Sequence, residues 1–351
     1  MKRFHPILAT ALLLGAGLQA DMQAISFYEV RPASRPVAID GRMSDGLWAD
    51  ATVHTNYYEY FKSDPGPGAV RTEFRMLYDD RGIYLGIRNF DDNIGQIRAR
   101  ITDRGNPALW TDDCAEIYFE GSGHGGGFRC FKANAIGTTA EMNRLDAAVV
   151  VGEWQGTGWF VKTSIHSDHW VIEGFFPWDD IGKRSQAGDV LRFCHVRYAY
   201  SSGKFAGVTS AAGGSYASPH SFGYLYLGHE RERLDPKIIA QILGASATPP
   251  WGLAVGDTLI LDRGDGPRIT PLGDAVGDAL NRLRDVNARV TAALAAAPAS
   301  RFADEYQPLA EETRAMLERP ASGFAAMQNV ERRLRTLENL WMRMKLDREF
   351  N

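Results

Sequence analysis

The strongest constraint on this chain is a change of hydrophobic periodicity close to His229. From Pro36 to about Leu227 the sequence breaks into short runs that read as strands: Arg71 to Leu77, Gly82 to Asn89, Asp113 to Glu120, Phe128 to Ala135, Trp159 to Ile165, His169 to Phe176 and Leu191 to Tyr200. Several alternate apolar with polar residues, as half-buried antiparallel strands do. Tyr78-Asp79-Asp80-Arg81-Gly82 and the Gly-rich stretch Gly121 to Gly127 read as hairpin loops between neighbouring runs. Many short strands with little helix between them predict an all-β sandwich of antiparallel sheets, immunoglobulin-like or jelly-roll-like, over residues 21–230. Residues 231–267, with Pro236, Pro249, Pro250 and Pro267, read as a connecting segment, and 268–351 as an α-helical C-terminal extension. There Leu272, Val276, Leu280, Leu283, Val290 and Leu294 share one helix face, and Ala303 to Leu317 forms a second pattern. Met327, Val330, Leu334, Leu337, Trp341 and Met344 form a heptad seam. Such stripes must be covered, by each other, by the sandwich, or by a second copy or a protein partner.

The N-terminus sets the expected compartment. Lys2 and Arg3 precede an apolar run from Ile7 to Leu18, and Ala20 closes a small-residue cleavage site before Asp21. Residues 1–20 therefore read as a secretory signal peptide, which implies a periplasmic or secreted protein. No later segment has the roughly 20 apolar residues of a transmembrane helix. The net charge of −4 gives no reason to expect nucleic acid as a partner. Cys114, Cys130 and Cys194 could form one disulfide with a thiol to spare, but all three lie in apolar runs, which favours buried free cysteines.

Four stretches in register carry a likeness to a known family. They are Ile39-Asp40-Gly41 through Leu47-Trp48 with Ala51; Phe74 to Leu85, closed by Asp91 and Asp92; Trp110-Thr111-Asp112-Asp113-Cys114-Ala115-Glu116 with its following strand; and Phe131 to Thr138, with Trp170 to Trp178 later. Together they resemble the family 9 carbohydrate-binding modules, the xylanase-associated type within the wider DOMON-like family. The likeness implies a non-catalytic, exported β-sandwich that binds oligosaccharide or polysaccharide by aromatic stacking and hydrogen bonds. It also implies that Trp110, Glu116, Lys132 and Asn134 contribute to the sugar site. Lys132 stands where that family has an arginine, so a point charge replaces a planar two-point grip. The second stacking tryptophan of the family has no counterpart in Thr209 to Tyr216, where either Tyr216 substitutes for it or the clamp is absent. Calcium, known in that family, has candidate ligands in Asp91 and Asp92, or in Asp79 and Asp80.

The residues can also be read by strand alternation. Ala115, Ile117 and Phe119 share a face that suits a core, which turns Cys114, Glu116 and Tyr118 to the other side. Phe131, Ala133 and Ala135 do the same for Lys132 and Asn134. If the strands pair with Glu116 opposite Lys132, Asn134 falls opposite Cys114, and a carboxylate, an ammonium and an amide line one open face beside Trp110. An aromatic plane with paired donors and acceptors is what a pyranose needs.

Other chemistries fail on context or lack a pattern. Gly121-Ser122-Gly123-His124-Gly125-Gly126 has dinucleotide-loop spacing but precedes a strand, not a helix. Gly213-Gly214-Ser215-Tyr216-Ala217 lacks the last glycine of a nucleophile elbow. Asp112, Asp113, Glu116 and Glu173 are too ordinary on strands to mark a glycosidase, and no paired ligand spacing indicates zinc. Two alternatives stay open: a scaffold that has lost its sugar and now contacts proteins, and a haem-binding redox module using His195, Met76 or Met142.

Overall fold

The computed structural model describes residues 22–61, 66, 68–144, 154–212, 218–229, 234–297, 301–319 and 324–350. The expected signal, residues 1–20, and Tyr216 lie outside this set. Eleven of the strands matter here: β1 (Phe27–Pro32), β2 (Thr72–Tyr78), β3 (Gly82–Phe90), β4 (Cys114–Glu120), β5 (Phe128–Asn134), β6 (Thr139–Arg144), β7 (Phe160–Ile165), β8 (His169–Pro177), β9 (Val190–Ala199), β10 (Ala206–Thr209) and β11 (Gly223–Leu227). Their order is β7-β8-β3-β2-β1-β11-β9-β4-β5-β6, with β10 also on β9. β1 is the joint, pairing in parallel with β2 on one side and β11 on the other. A strand shared in this way lets one long sheet fold over itself into a sandwich. Each of the seven expected strands is present with its ends shifted by about one residue, as assignment at strand ends allows.

Strand alternation sets the core. Phe74, Met76, Ile83, Leu85 and Ile87 on one half meet Ala115, Ile117, Phe119, Phe131, Leu191 and Phe193 on the other, all buried. Burying six-membered rings and branched chains at roughly 1.5–3 kcal/mol each is the main drive to this fold. The opening signature is fastened to it by Glu173 on β8. Its carboxylate accepts from Asp40 N at 2.8 Å, Gly41 N at 2.6 Å, Met43 N at 3.3 Å and Trp48 Nε1 at 2.8 Å. Gly41 is required at its place: φ is 84°, and an added Cβ would meet Lys162 and Thr163 at 3.0–3.1 Å.

Residues 231–267 are not a mere connection, and the difference has a local cause. Helix α1 (Pro236–Ser246) begins with Pro236 in the first turn behind Asp235, whose side chain caps Lys237 N, a position where proline starts helices rather than breaking them. Strands β12 (Trp251–Val255), β13 (Thr258–Asp262) and β14 (Arg268–Pro271) follow, and Gln23–Ala24 adds to β12 in parallel to make a four-stranded sheet. Trp251, Leu253 and Ile260 cluster with Ile25 and Tyr224, so this unit packs directly on the sandwich.

Three helices complete it: α2 (Leu272–Ala296), α3 (Phe302–Glu318) and α4 (Phe324–Phe350). The apolar seam of α4 is covered within the chain, by Ala279, Leu283, Val286 and Val290 of α2 and Phe302 of α3. Leu340 is buried where the heptad reading expected Trp341, which is half-buried. A straight helix of 3.6 residues per turn drifts from a strict seven-residue seam, and the substitution follows that drift. No described helix is long and apolar enough to cross a membrane.

Candidate functional site

Trp110 sits in a one-turn 3-10 helix, Pro107–Thr111, and three side chains hold that turn in place. Asn106 caps it by accepting from Ala108 N at 2.9 Å. Asp112 Oδ2 accepts from Arg100 N and Ile101 N, both at 2.9 Å, and from Asn134 Nδ2 at 3.1 Å. Asp113 accepts from Arg98 N at 2.8 Å and Tyr200 N at 2.9 Å. The two aspartates are thus loop organisers, and with their bonds made, the indole stays 48% exposed.

The expected register is observed: Glu116 lies opposite Lys132 and Cys114 opposite Asn134. The expectation of an open face is not. Cys114, Tyr118, Cys130, Cys194, Val196 and Tyr198 form a second apolar cluster on this side, roofed by Tyr60, Ala211 and Phe222. Glu116 is 2% exposed and Lys132 6%. Lys132 Nζ donates to Glu116 Oε1, while Tyr118 Oη and Tyr198 Oη donate to Oε2. Burial alone would pull the Lys132 ammonium down, but the facing Glu116 carboxylate holds it above the ordinary lysine value. Asn134 is fully buried; its amide donates to Ile101 O and Asp112 and its oxygen accepts from Thr138 N, so it positions the Trp110 turn. All three cysteines are free and buried.

The exposed part of the site is aromatic, and two of its members escape a reading of motifs. Phe61 is 67% exposed and Phe205 44%, with ring centroids 6.4 Å apart. Tyr198 and Tyr200 touch Phe205 at 5.9 and 5.4 Å, and Tyr200 Oη donates to Trp110 O at 3.1 Å, which joins the rings to the indole turn. Phe61 has φ of 64°, unusual for a bulky residue and a form of local strain found at binding sites. The aromatic run Tyr57-Tyr58-Glu59-Tyr60-Phe61 was the available signal.

Asp91 and Asp92, the expected calcium ligands, diverge. Asp91 turns inward to Arg197 Nη2 at 2.9 Å and accepts from Ser201 Oγ at 2.7 Å, whereas Asp92 is exposed. Asp91 therefore has its charge matched and its oxygens engaged, and does not fit a metal without displacing the guanidinium. Among the described residues no group of three or more His, Cys, Asp or Glu side chains could hold a metal ion.

His195, the candidate ligand of the alternative haem reading, lies in the sandwich core with Nδ1 2.6 Å from Tyr57 Oη and its ring edge-on to Tyr57 at 5.6 Å. Burial, with Arg197 nearby, drives its pKa down to about 3. Met76 is packed in the same core. The imidazole is neutral in the fold and takes up its proton near pH 6.5 when unfolded, so its contribution is complete above that pH and lost as the pH falls towards 3. The loss is about 1.4 kcal/mol per pH unit. Between pH 7 and 5 the unfolding free energy should drop by about 2 kcal/mol more in the natural chain than in His195→Gln. Equal pH slopes in urea titrations of the two would rule this out.

Exposed rings at the rim of a sandwich, above a buried and internally neutralised polar pair, have the make-up of a binding module. The chain belongs to the carbohydrate family 9 binding domain-like family, whose model matches residues 39–230; its members are non-catalytic binding domains. Similar solved structures include a family 9 module from Caldicellulosiruptor kristjanssonii in complex with glucose, at 14% identity and TM-score 0.43, covering 59% of this chain and 100% of that one. A module from the same organism in complex with cellotriose is 16% identical with TM-score 0.42, covering 60% and 98%. No curated protein matches the chain.

Proposed function

We propose that the sandwich is an exported sugar-binding domain, in which a pyranose stacks on Trp110 and Phe205 with Phe61 extend the apolar wall. The observation that carries this reading is the exposed indole on a turn whose every polar anchor is spent on holding it out. Exposed tryptophan is costly unless something covers it, and the apolar face of a sugar ring is a matching cover. Membership of the family and the glucose and cellotriose complexes of other modules support the ligand class. Lys2, Arg3 and the apolar run to Leu18 support an extracytoplasmic location.

Calorimetric titration of the purified protein with glucose and cellotriose tests this. Trp110→Ala should weaken binding by about thirtyfold or more, the loss typical of a central aromatic anchor, with an unchanged unfolding midpoint because the ring is exposed. Unaltered affinity would move the ligand elsewhere. Absence of heat with every sugar in the natural chain would favour the protein-contact scaffold.

A further inference from the structure

Beside the Trp110 turn runs Ile97-Arg98-Ala99-Arg100-Ile101, a stretch without regular structure in which Ile97 and Ala99 pack on the sandwich core, Arg98 is half-buried and Arg100 is exposed. The aspartates that hold the indole turn hold this stretch too. Asp113 accepts from Arg98 N and Asp112 from Arg100 N. These are backbone bonds, and they leave both guanidinium groups over. Neither makes an ion pair or a side-chain hydrogen bond among the described residues. By contrast Arg35, Arg81, Arg88, Arg104 and Arg197 of the same domain each have a carboxylate within 3.2 Å. Lys204, next to Phe205, is a third cation at this rim, exposed and likewise unpaired among the described residues.

Arg98 is seated among the rings of the candidate site. Its Cζ stands 4.7 Å over the Tyr200 ring, whose hydroxyl donates to Trp110 O at 3.1 Å and which touches Phe205 at 5.4 Å. Stacking on an aromatic ring restrains the guanidinium in advance, so less freedom is lost when its donors meet a planar anion. The aspartates behind it do not answer its charge, since both are buried with their oxygens on backbone amides. A cluster of free cations around exposed rings, on a chain of net charge −4, discriminates between sugars. A neutral hexose offers it hydroxyls alone, whereas a carboxylate or sulfate ester accepts the charge-assisted bonds that suit an arginine. Resting on the reading of Trp110 as a sugar platform, we infer that the ligand is an acidic saccharide, with one ring on Trp110 and an anionic group, carboxylate or sulfate ester, on Arg98. Arg100 and Lys204 add to the attracting field.

Calorimetry of the full chain with glucose, glucuronate and glucose 6-sulfate, which share a ring and differ at C6, tests this. The acidic sugars should bind about tenfold tighter than glucose at low salt, the scale of one charge-assisted hydrogen bond. That advantage should shrink as sodium chloride rises from about 20 to about 300 mM, because part-exposed charges are screened. Arg98→Gln should cut the ratio of acidic to neutral affinity about tenfold, and the more exposed Arg100→Gln about threefold. The ratio is the decisive readout: a merely structural role for Arg98 would weaken all three sugars alike, and that result overturns the assignment. If Arg98→Gln lowers the unfolding midpoint, Arg100→Gln and the salt dependence decide in its place. Sodium acetate and sodium sulfate, which have no ring, should not compete at the same concentrations, and competition as strong as that of the sugar acids would overturn the assignment in favour of a plain anion surface. Equal affinity for glucose and both acids removes this inference and leaves the Trp110 reading standing, while no saturable heat with any sugar removes both. Tighter binding of glucuronate or of the sulfate ester supports the inference either way and names the group.

Discussion

Glu173→Ala should destabilise the protein by about 3–5 kcal/mol, among the largest effects of any single substitution in the sandwich. The carboxylate receives four donors, three from the backbone of the opening loop and one from the Trp48 indole. Removing it leaves Gly41 N, Met43 N and Trp48 Nε1 in a buried setting without an acceptor, at about 1–3 kcal/mol each less what water recovers near Asp40. Glu173→Gln separates charge from connectivity. Burial raises the carboxyl's pKa, so the charged form carries a desolvation cost that the amide avoids. The amide oxygen can still serve the three backbone donors, but its NH₂ then faces the indole N–H, donor against donor. Glutamine should accordingly fall between alanine and the natural residue in urea unfolding. Alanine within 1 kcal/mol of the natural chain would show that the loop stands without this anchor, against the estimate from lost acceptors.

That same contact explains why the fold was legible. The Ile39-Asp40-Gly41 opening and the strand before Trp178 are about 130 residues apart and look unrelated along the chain, yet Glu173 binds them into one unit. Strands β2 to β5 could be read because their two faces differ in polarity, and a period of two leaves little choice of register. Once Glu116 is set opposite Lys132, Cys114 falls opposite Asn134, and both pairings are observed. Where the signal failed, one residue type was serving two purposes. Pro236 starts a helix though prolines mark loops, and Gly256, with φ of 58°, turns a hairpin inside what looked like a linker.

The candidate site was legible in its residues but not in its depth. Alternation places Glu116, Lys132 and Asn134 on the face away from the core, and that is where they are. It cannot reveal that segments remote in sequence, bearing Tyr60, Ala211 and Phe222, lay a second apolar layer over that face. Asn134 illustrates the consequence, since an amide expected to meet a sugar spends its donors on Ile101 and Asp112. Phe61 and Phe205 belong to no motif, and only the folded chain brings them together.

Arg197→Met is expected to cost about 3–5 kcal/mol, because it strands a charge rather than because it removes a bond. The guanidinium is fully buried between the sheets, where Nη1 donates to Arg71 O at 3.0 Å and Phe90 O at 2.8 Å, and Nη2 to Asp91 at 2.9 Å. Without it Asp91 keeps only Ser201 and Asn93 N as donors. Asp91→Asn in the same chain removes the stranded charge, so the double variant should recover about 1–2 kcal/mol over Arg197→Met, a coupling that four-cornered urea unfolding reads directly. Simple additivity would refute the pair. The cavity left by the arginine is walled by a carboxylate, a serine hydroxyl and the carbonyls of Arg71 and Phe90, hard oxygen donors of the kind calcium takes. Calcium should therefore stabilise Arg197→Met more than the natural chain. An equal increment in both would mean that any calcium acts away from Asp91, and a larger one in the natural chain would contradict the view that arginine already supplies the cation there.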